Sequence, residues 1–140
     1  MPNIDNIKKY RKIHMIGIGG ISMSGIAEIL LNWGFEVSGS NNVDSEILHI
    51  LKNAGAKIFI GHDANNIGDA DCVVYTAAIS KDNVELVRAK ELGIPVIERS
   101  SFLGELTRCY KNTIAISGTH GKTTTTSLVS LCFREAKKDP

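Results

Sequence analysis

The stretch Lys12–Asn41, KIHMIGIGGISMSGIAEILLNWGFEVSGSN, decides the fold of this chain. Lys12 to Ile18 is an almost unbroken apolar run of strand length, and it ends in the pair Gly19-Gly20. Apolar residues then recur at helical spacing: Ile21, Met23, Ile26, Ala27, Leu30, Leu31 and Trp33. Gly34 stops that helix, and Phe35 to Gly39 reads as the next strand. The order strand, glycine turn, helix, strand predicts a parallel pair joined by a crossover, because two parallel strands need a connection long enough to return the chain to the same edge.

Outward from this unit the alternation continues. Asp44–Ala54 reads as a helix with Ile47, Leu48, Ile50 and Leu51 on its apolar face, and Gly55 ends it. Lys57–Ile60 is a short strand, and the Asn/Asp/Gly-rich segment Gly61–Asp69 is a loop or a weak helical turn. Asp71–Thr76, with Cys72-Val73-Val74-Tyr75, is a buried strand. Asn83–Leu92 is an amphipathic helix closed by Gly93. Pro95-Val96-Ile97 is another strand, and Ser100 or Ser101 caps a helix running to about Arg108. The predicted architecture is α/β: a doubly wound, mostly parallel, Rossmann-like sheet.

The turn Gly17-Ile18-Gly19-Gly20 superficially matches a dinucleotide fingerprint. The third glycine of G-x-G-x-x-G would fall at Ser22, however, and Ser40-Asn41 stands where a carboxylate is needed for ribose hydroxyls, so an NAD-dependent oxidoreductase is disfavoured. What remains is an anion cradle. The N–H groups of Gly19, Gly20, Ile21 and Ser22 open a helix and suit a pyrophosphate. Gly25, one turn further on, is expected to permit close contact between helix and strand.

A second turn of the same kind lies in TIAISGTHGKTTTTS, Thr113–Ser127. Thr113–Ser117 reads as a buried strand, and Gly118-Thr119-His120-Gly121-Lys122-Thr123-Thr124 as a phosphate loop opening a helix. The first glycine of the general G-x-x-x-x-G-K-T pattern would fall at Ile116, which leaves the shorter form G-T-H-G-K-T. Lys122 supplies a point charge for the β and γ phosphates of ATP and is the candidate catalytic residue. The Thr123 hydroxyl is the candidate ligand for Mg²⁺. Gly118, Thr119, His120, Gly121 and Thr124 complete the candidate ATP site.

The chain has 140 residues, 43% of them apolar, which is enough for one full domain with a single core. With 16 basic and 15 acidic residues the net charge is +1, so nothing marks a nucleic-acid or anionic-membrane partner. The three cysteines, Cys72, Cys109 and Cys132, are widely spaced and form no C-x-x-C pair. That argues for reduced thiols and a cytoplasmic location. No apolar run approaches the ~18 residues of a membrane span.

The segment GTHGKTTTT resembles the ATP loop of the Mur ligases, which build the bacterial cell-wall peptide. The likeness extends over His14–Leu30, Val37–Asn41, Gly55–His62, Val73–Leu86 and Ile94–Leu106. It implies an ATP-dependent amide-bond-forming ligase, in which the γ-phosphoryl group of ATP passes to the carboxylate of UDP-N-acetylmuramate and L-alanine attacks the acyl phosphate. A sister ligase that adds a whole peptide to the same sugar nucleotide is the alternative. The resemblance further implies that Gly17 to Ser22 hold the UDP diphosphate. Ser40, Asn41, His62, Thr76, Ala77, Ala78 and Ile79 are placed around the uridine. Asn41 stands where many relatives have Asp, and Thr76-Ala77 where many have Ser-Ser.

On this reading residues 1–108 form the UDP-sugar-nucleotide-binding domain. Residues 109–140 form the first strand and phosphate-loop helix of an ATP-binding domain, and the amino-acid site lies outside the chain. Such a piece is expected to be inactive alone. Its last segment is disordered, lies against the first domain, or self-associates with another chain. Among other residues, His14 reads as a structural histidine within a strand and His49 as a surface one. Lys81-Asp82 reads as a solvated helix start, and Arg99 is balanced between surface and uridine site.

Overall fold

The computed structural model describes residues 7–138. Five strands form one parallel sheet: β1 Lys12–Ile16, β2 Glu36–Asn41, β3 Lys57–Ile60, β4 Cys72–Tyr75 and β5 Val96–Glu98, in the order β3-β2-β1-β4-β5. Register runs Ile13 to Val37 and Ile13 to Cys72, so β1 is central and paired on both sides. Between them lie α1 Ile21–Asn32, α2 Glu46–Asn53, α3 Val84–Glu91 and α4 Arg99–Arg108, with a four-residue 3-10 turn at Ala64–Ile67 in the place of a full helix. These elements agree with the predicted alternation to within a few residues at their ends.

Strand side chains alternate between two faces, and each face has its own core. Ile13, Met15, Val37 and Val74 meet α1, α2 and α4 through Ile26, Leu30, Leu51, Phe102 and Leu106. Ile16 and Val73 meet the 3-10 turn and α3 through Ile67, Leu86 and Ala89. The second layer is thinner because the 3-10 turn covers so little. An open cleft of about 440 Å³ remains beside it, lined by Lys12, Glu36, Ser38, Lys57, Phe59 and Asp69 among others. Lys12 is already paired there with Asp69 and Glu36.

Close packing of helix on strand does not depend on Gly25, which is exposed and has open space where a side chain would stand. The contact that needs a missing Cβ is at Gly39 in β2. A Cβ there would lie 2.6 Å from Met15 O and 2.7 Å from Ile18 Cβ. Ile18, fully buried, fills that space.

The strand expected at 113–117 does not form. Residues 113–118 run without sheet partners, and Ile114 is 60% exposed. A parallel strand is stable only with a neighbour to accept its ladder and apolar layers on both sides. The described residues supply neither. The following helix, α5 Lys122–Glu135, buries no residue, and Leu128 and Leu131 are 58% and 51% exposed.

Candidate functional site

β1 leads to β2 and β3 on one side of the sheet, and the chain then crosses to β4 on the other, so the strand order reverses between β1 and β4. In open parallel sheets the crevice at the carboxyl ends of such a pair is where ligands bind. Here the β1–α1 turn forms one wall. Gly17 has φ +81, a conformation costly for any other residue, and a Cβ on it would come within 3.0 Å of Thr76 Cγ2. The N–H groups of Gly17 and Ile18 both donate to Ser40 O, at 2.8 and 3.1 Å, which ties the turn to the end of β2. Gly20 N–H turns back onto Gly17 O at 3.2 Å. Among the described residues, the N–H groups of Gly19, Ile21 and Ser22 have no acceptor. They open α1 with the positive end of its dipole, and no acidic side chain stands in its first turn.

The opposite wall is the loop after β4. Ile79 N–H donates to Thr76 O at 3.0 Å, which folds Thr76-Ala77-Ala78-Ile79 into a turn, and Ala77 and Ala78 are exposed. Asn41, at the end of β2, donates from Nδ2 to Val43 O at 2.7 Å, and its side chain lies 3.0 Å from where a Cβ on Gly19 would be. Arg99, the first residue of α4, reaches across to donate from Nη1 to Ser22 Oγ at 2.9 Å. A guanidinium therefore meets a side chain of the cradle, 77 residues away in sequence.

Behind the crevice lies a buried polar cluster centred on Glu85, which the sequence reading missed. Glu85 Oε2 accepts from Ser40 Oγ at 2.5 Å, and Oε1 accepts from Asn66 Nδ2 at 2.6 Å and from Asp63 N–H at 3.3 Å. His62 Nδ1 lies 2.9 Å from Ser40 Oγ and 3.4 Å from Glu85 Oε2. His14, fully buried as expected of a structural histidine, bonds Ser38 Oγ through Nδ1 at 2.9 Å. Its Nε2 faces Glu85 Oε2 at 3.5 Å, outside hydrogen-bond geometry, and has no other partner among the described residues. Burial pushes the Glu85 carboxyl up, but the facing His14 imidazole and the donors Ser40 and Asn66 outweigh it and bring the pKa down to about 2. Ser40 thus spends its side chain inside the protein, while His62 reaches the surface with 13% of its side chain exposed.

The second candidate loop stands apart from this crevice and is open to solvent. Gly121 takes the left-handed conformation at φ +77 and precedes α5, while Lys122 Nζ donates back to Gly118 O at 2.6 Å. Thr119, His120, Thr123 and Thr124 are exposed. Among the described residues, no group of histidine, cysteine and carboxylate side chains is arranged to hold a metal ion, and no helix is long and apolar enough to cross a membrane.

A glycine turn opening a helix at the switch point of a parallel sheet defines a Rossmann-like α/β domain of the doubly wound class. A model of the Mur ligase family, catalytic domain, matches residues 12–111, and the chain belongs to the Mur ligase family. It is 56% identical over 132 residues to a UDP-N-acetylmuramate--L-alanine ligase of Acetivibrio thermocellus and 57% identical over 139 residues to one of Clostridium botulinum. These matches cover 94% and 99% of the chain but only 28% and 30% of the relatives' length. The crystal structure of the UDP-N-acetylmuramate-alanine ligase of Thermotoga maritima superposes with a TM-score of 0.86 at 40% identity, covering 92% of this chain and 30% of that one. A murein peptide ligase from Psychrobacter arcticus superposes with a TM-score of 0.84 at 29% identity, covering 91% and 27%.

Proposed function

We propose that residues 1–108 bind the UDP end of UDP-N-acetylmuramate, and that residues 109–140 begin the ATP-binding domain of a cytoplasmic ligase that joins L-alanine to that sugar nucleotide. The observation that carries this reading is the set of unpartnered amides at Gly19, Ile21 and Ser22, with the Arg99 guanidinium bonded to the Ser22 hydroxyl beside them. Backbone donors and one cation suit a diphosphate, whose charge is spread over several oxygens. The loop Thr76–Ile79, with Asn41 and His62, lies at the same carboxyl edge of the sheet and suits the nucleoside. The alanine reading is preferred to its peptide-adding sister because relatives at 56–57% identity carry the alanine-ligase name.

The phosphate-loop segment has a donor set that fits ATP. Gly121 takes the backbone turn that such a loop needs, and the first amides of α5 have no acceptor among the described residues. Lys122 would leave Gly118 O to neutralise charge on the transferring phosphoryl group, and the Thr123 hydroxyl would hold Mg²⁺, which supplies further charge neutralisation when bound. In the whole enzyme the phosphoryl group passes to the substrate carboxylate, and the amine of L-alanine displaces it from the acyl phosphate to form the amide.

Calorimetric titration of the chain with UDP-N-acetylmuramate, UDP and NAD tests the first site. Binding of both uridine ligands without NAD is expected. Tight NAD binding with no response to UDP would refute the proposal.

A further inference from the structure

We infer that Glu85 is a positioning residue that acts through Ser40 and by its own direct contact to hold His62 in one tautomer, with its outward nitrogen kept as a hydrogen-bond acceptor toward the nucleoside. The argument is a count of hydrogens. Oε1 of Glu85 faces two donors that cannot reverse, Asp63 N–H and Asn66 Nδ2. The carboxylate is ionised and can only accept. The single hydrogen of Ser40 Oγ is committed to Oε2, at 2.5 Å. Ser40 therefore has only lone pairs to offer His62 Nδ1 at 2.9 Å, and the proton of that contact must belong to Nδ1. In the neutral imidazole, Nε2 is then bare. Nε2 has no partner among the described residues and is not enclosed by them.

His62 follows β3 at the carboxyl edge of the sheet, tied to β2 through Gly61 N–H to Asn41 O at 2.8 Å. A bare nitrogen there accepts from a ligand donor: the imide N–H of uracil or a ribose hydroxyl. It repels an acceptor such as N3 of cytosine, so Glu85 and Ser40 set specificity without touching the ligand. This ligand half rests on the proposed uridine site. The tautomer half does not.

Glu85→Gln tests the relay at nearly constant shape. The two fixed donors hold the glutamine oxygen at the Oε1 position, so its NH₂ faces Ser40. Ser40 then accepts from Gln, its hydrogen turns to Nδ1, and His62 becomes the Nε2–H tautomer. Ser40→Ala is the second variant. It removes the relay atom but leaves His62 Nδ1 facing the carboxylate directly at 3.4 Å, so Nδ1–H persists.

Nitrogen-15 spectra of the histidines, at about pH 8 where an ordinary imidazole is neutral, are expected to show a protonated Nδ1 in wild type and Ser40→Ala and a protonated Nε2 in Glu85→Gln. Affinity for UDP should fall about tenfold or more in Glu85→Gln. Weaker binding of 3-methyl-UDP by wild type identifies the imide as the donor, and weaker binding of 2′-deoxy-UDP identifies the ribose. A protonated Nε2 in wild type, or an unchanged tautomer in Glu85→Gln, overturns the relay. Failure of wild type to bind UDP overturns the ligand half together with the proposed function, and the spectra separate the two failures.

Discussion

The Glu85 carboxylate should give this domain a distinct acid limb. Its pKa is held at about 2 in the fold against an ordinary 4.5. A carboxyl depressed on folding contributes stability above its unfolded value and loses it as pH falls toward the folded one. The displacement corresponds to about 3 kcal/mol in all, of which on the order of 1 kcal/mol is gone by pH 3.5. The other titratable groups against this carboxylate are His14 and His62. Urea denaturation of wild type and Glu85→Gln between pH 5.5 and 3.5 isolates it, because the other carboxylates cancel in the difference. Wild type is expected to lose on the order of 1 kcal/mol more than the variant across that range. Parallel stability profiles would refute the claim that the buried contacts, and not the surface charge, hold Glu85 ionised.

Gly39→Ala should destabilise by about 1–3 kcal/mol or more, since its Cβ would meet Met15 O at 2.6 Å and the buried Ile18 side chain at 2.7 Å; Gly25→Ala, in open space, should leave the thermal midpoint unchanged or raise it slightly. Arg99→Ala should weaken UDP binding about tenfold and flatten its salt dependence, read by calorimetry at two ionic strengths. A thiol reagent under native conditions should modify Cys132 quickly and spare Cys72 and Cys109, because only the first is exposed and burial pushes the Cys72 thiol up to about 12. Mass spectrometry of the labelled chain distinguishes one modified cysteine from three.

The cradle was legible in sequence because its chemistry is local. Gly17 to Ser22 are adjacent, and their turn, helix start and amides follow from residue types alone. Arg99 was not, since its partner Ser22 is 77 residues away and a helix-start arginine looks the same on any surface. Glu85 was hidden more thoroughly. It sits in the first turn of α3, where an acidic residue is ordinarily read as a solvated partner of the helix dipole. Its burial depends on Ser40, His62 and Asn66 arriving from β2, the loop after β3 and the 3-10 turn. Thr113–Ser117 erred in the opposite direction, as an apolar run taken for a strand though no neighbour in the described chain receives it.

Sequence by itself determined the alternation of strands and helices, the parallel sheet and the two glycine turns, because periodicity, helix stops and backbone freedom act over a few residues. Only the tertiary structure decided which glycine is crowded, which serine is spent inside the protein, which arginine bonds the cradle's serine and which carboxylate is buried. Those outcomes depend on contacts between strands far apart in the chain, and the parallel register of the sheet, not the order of residues, sets the distances at which such groups meet.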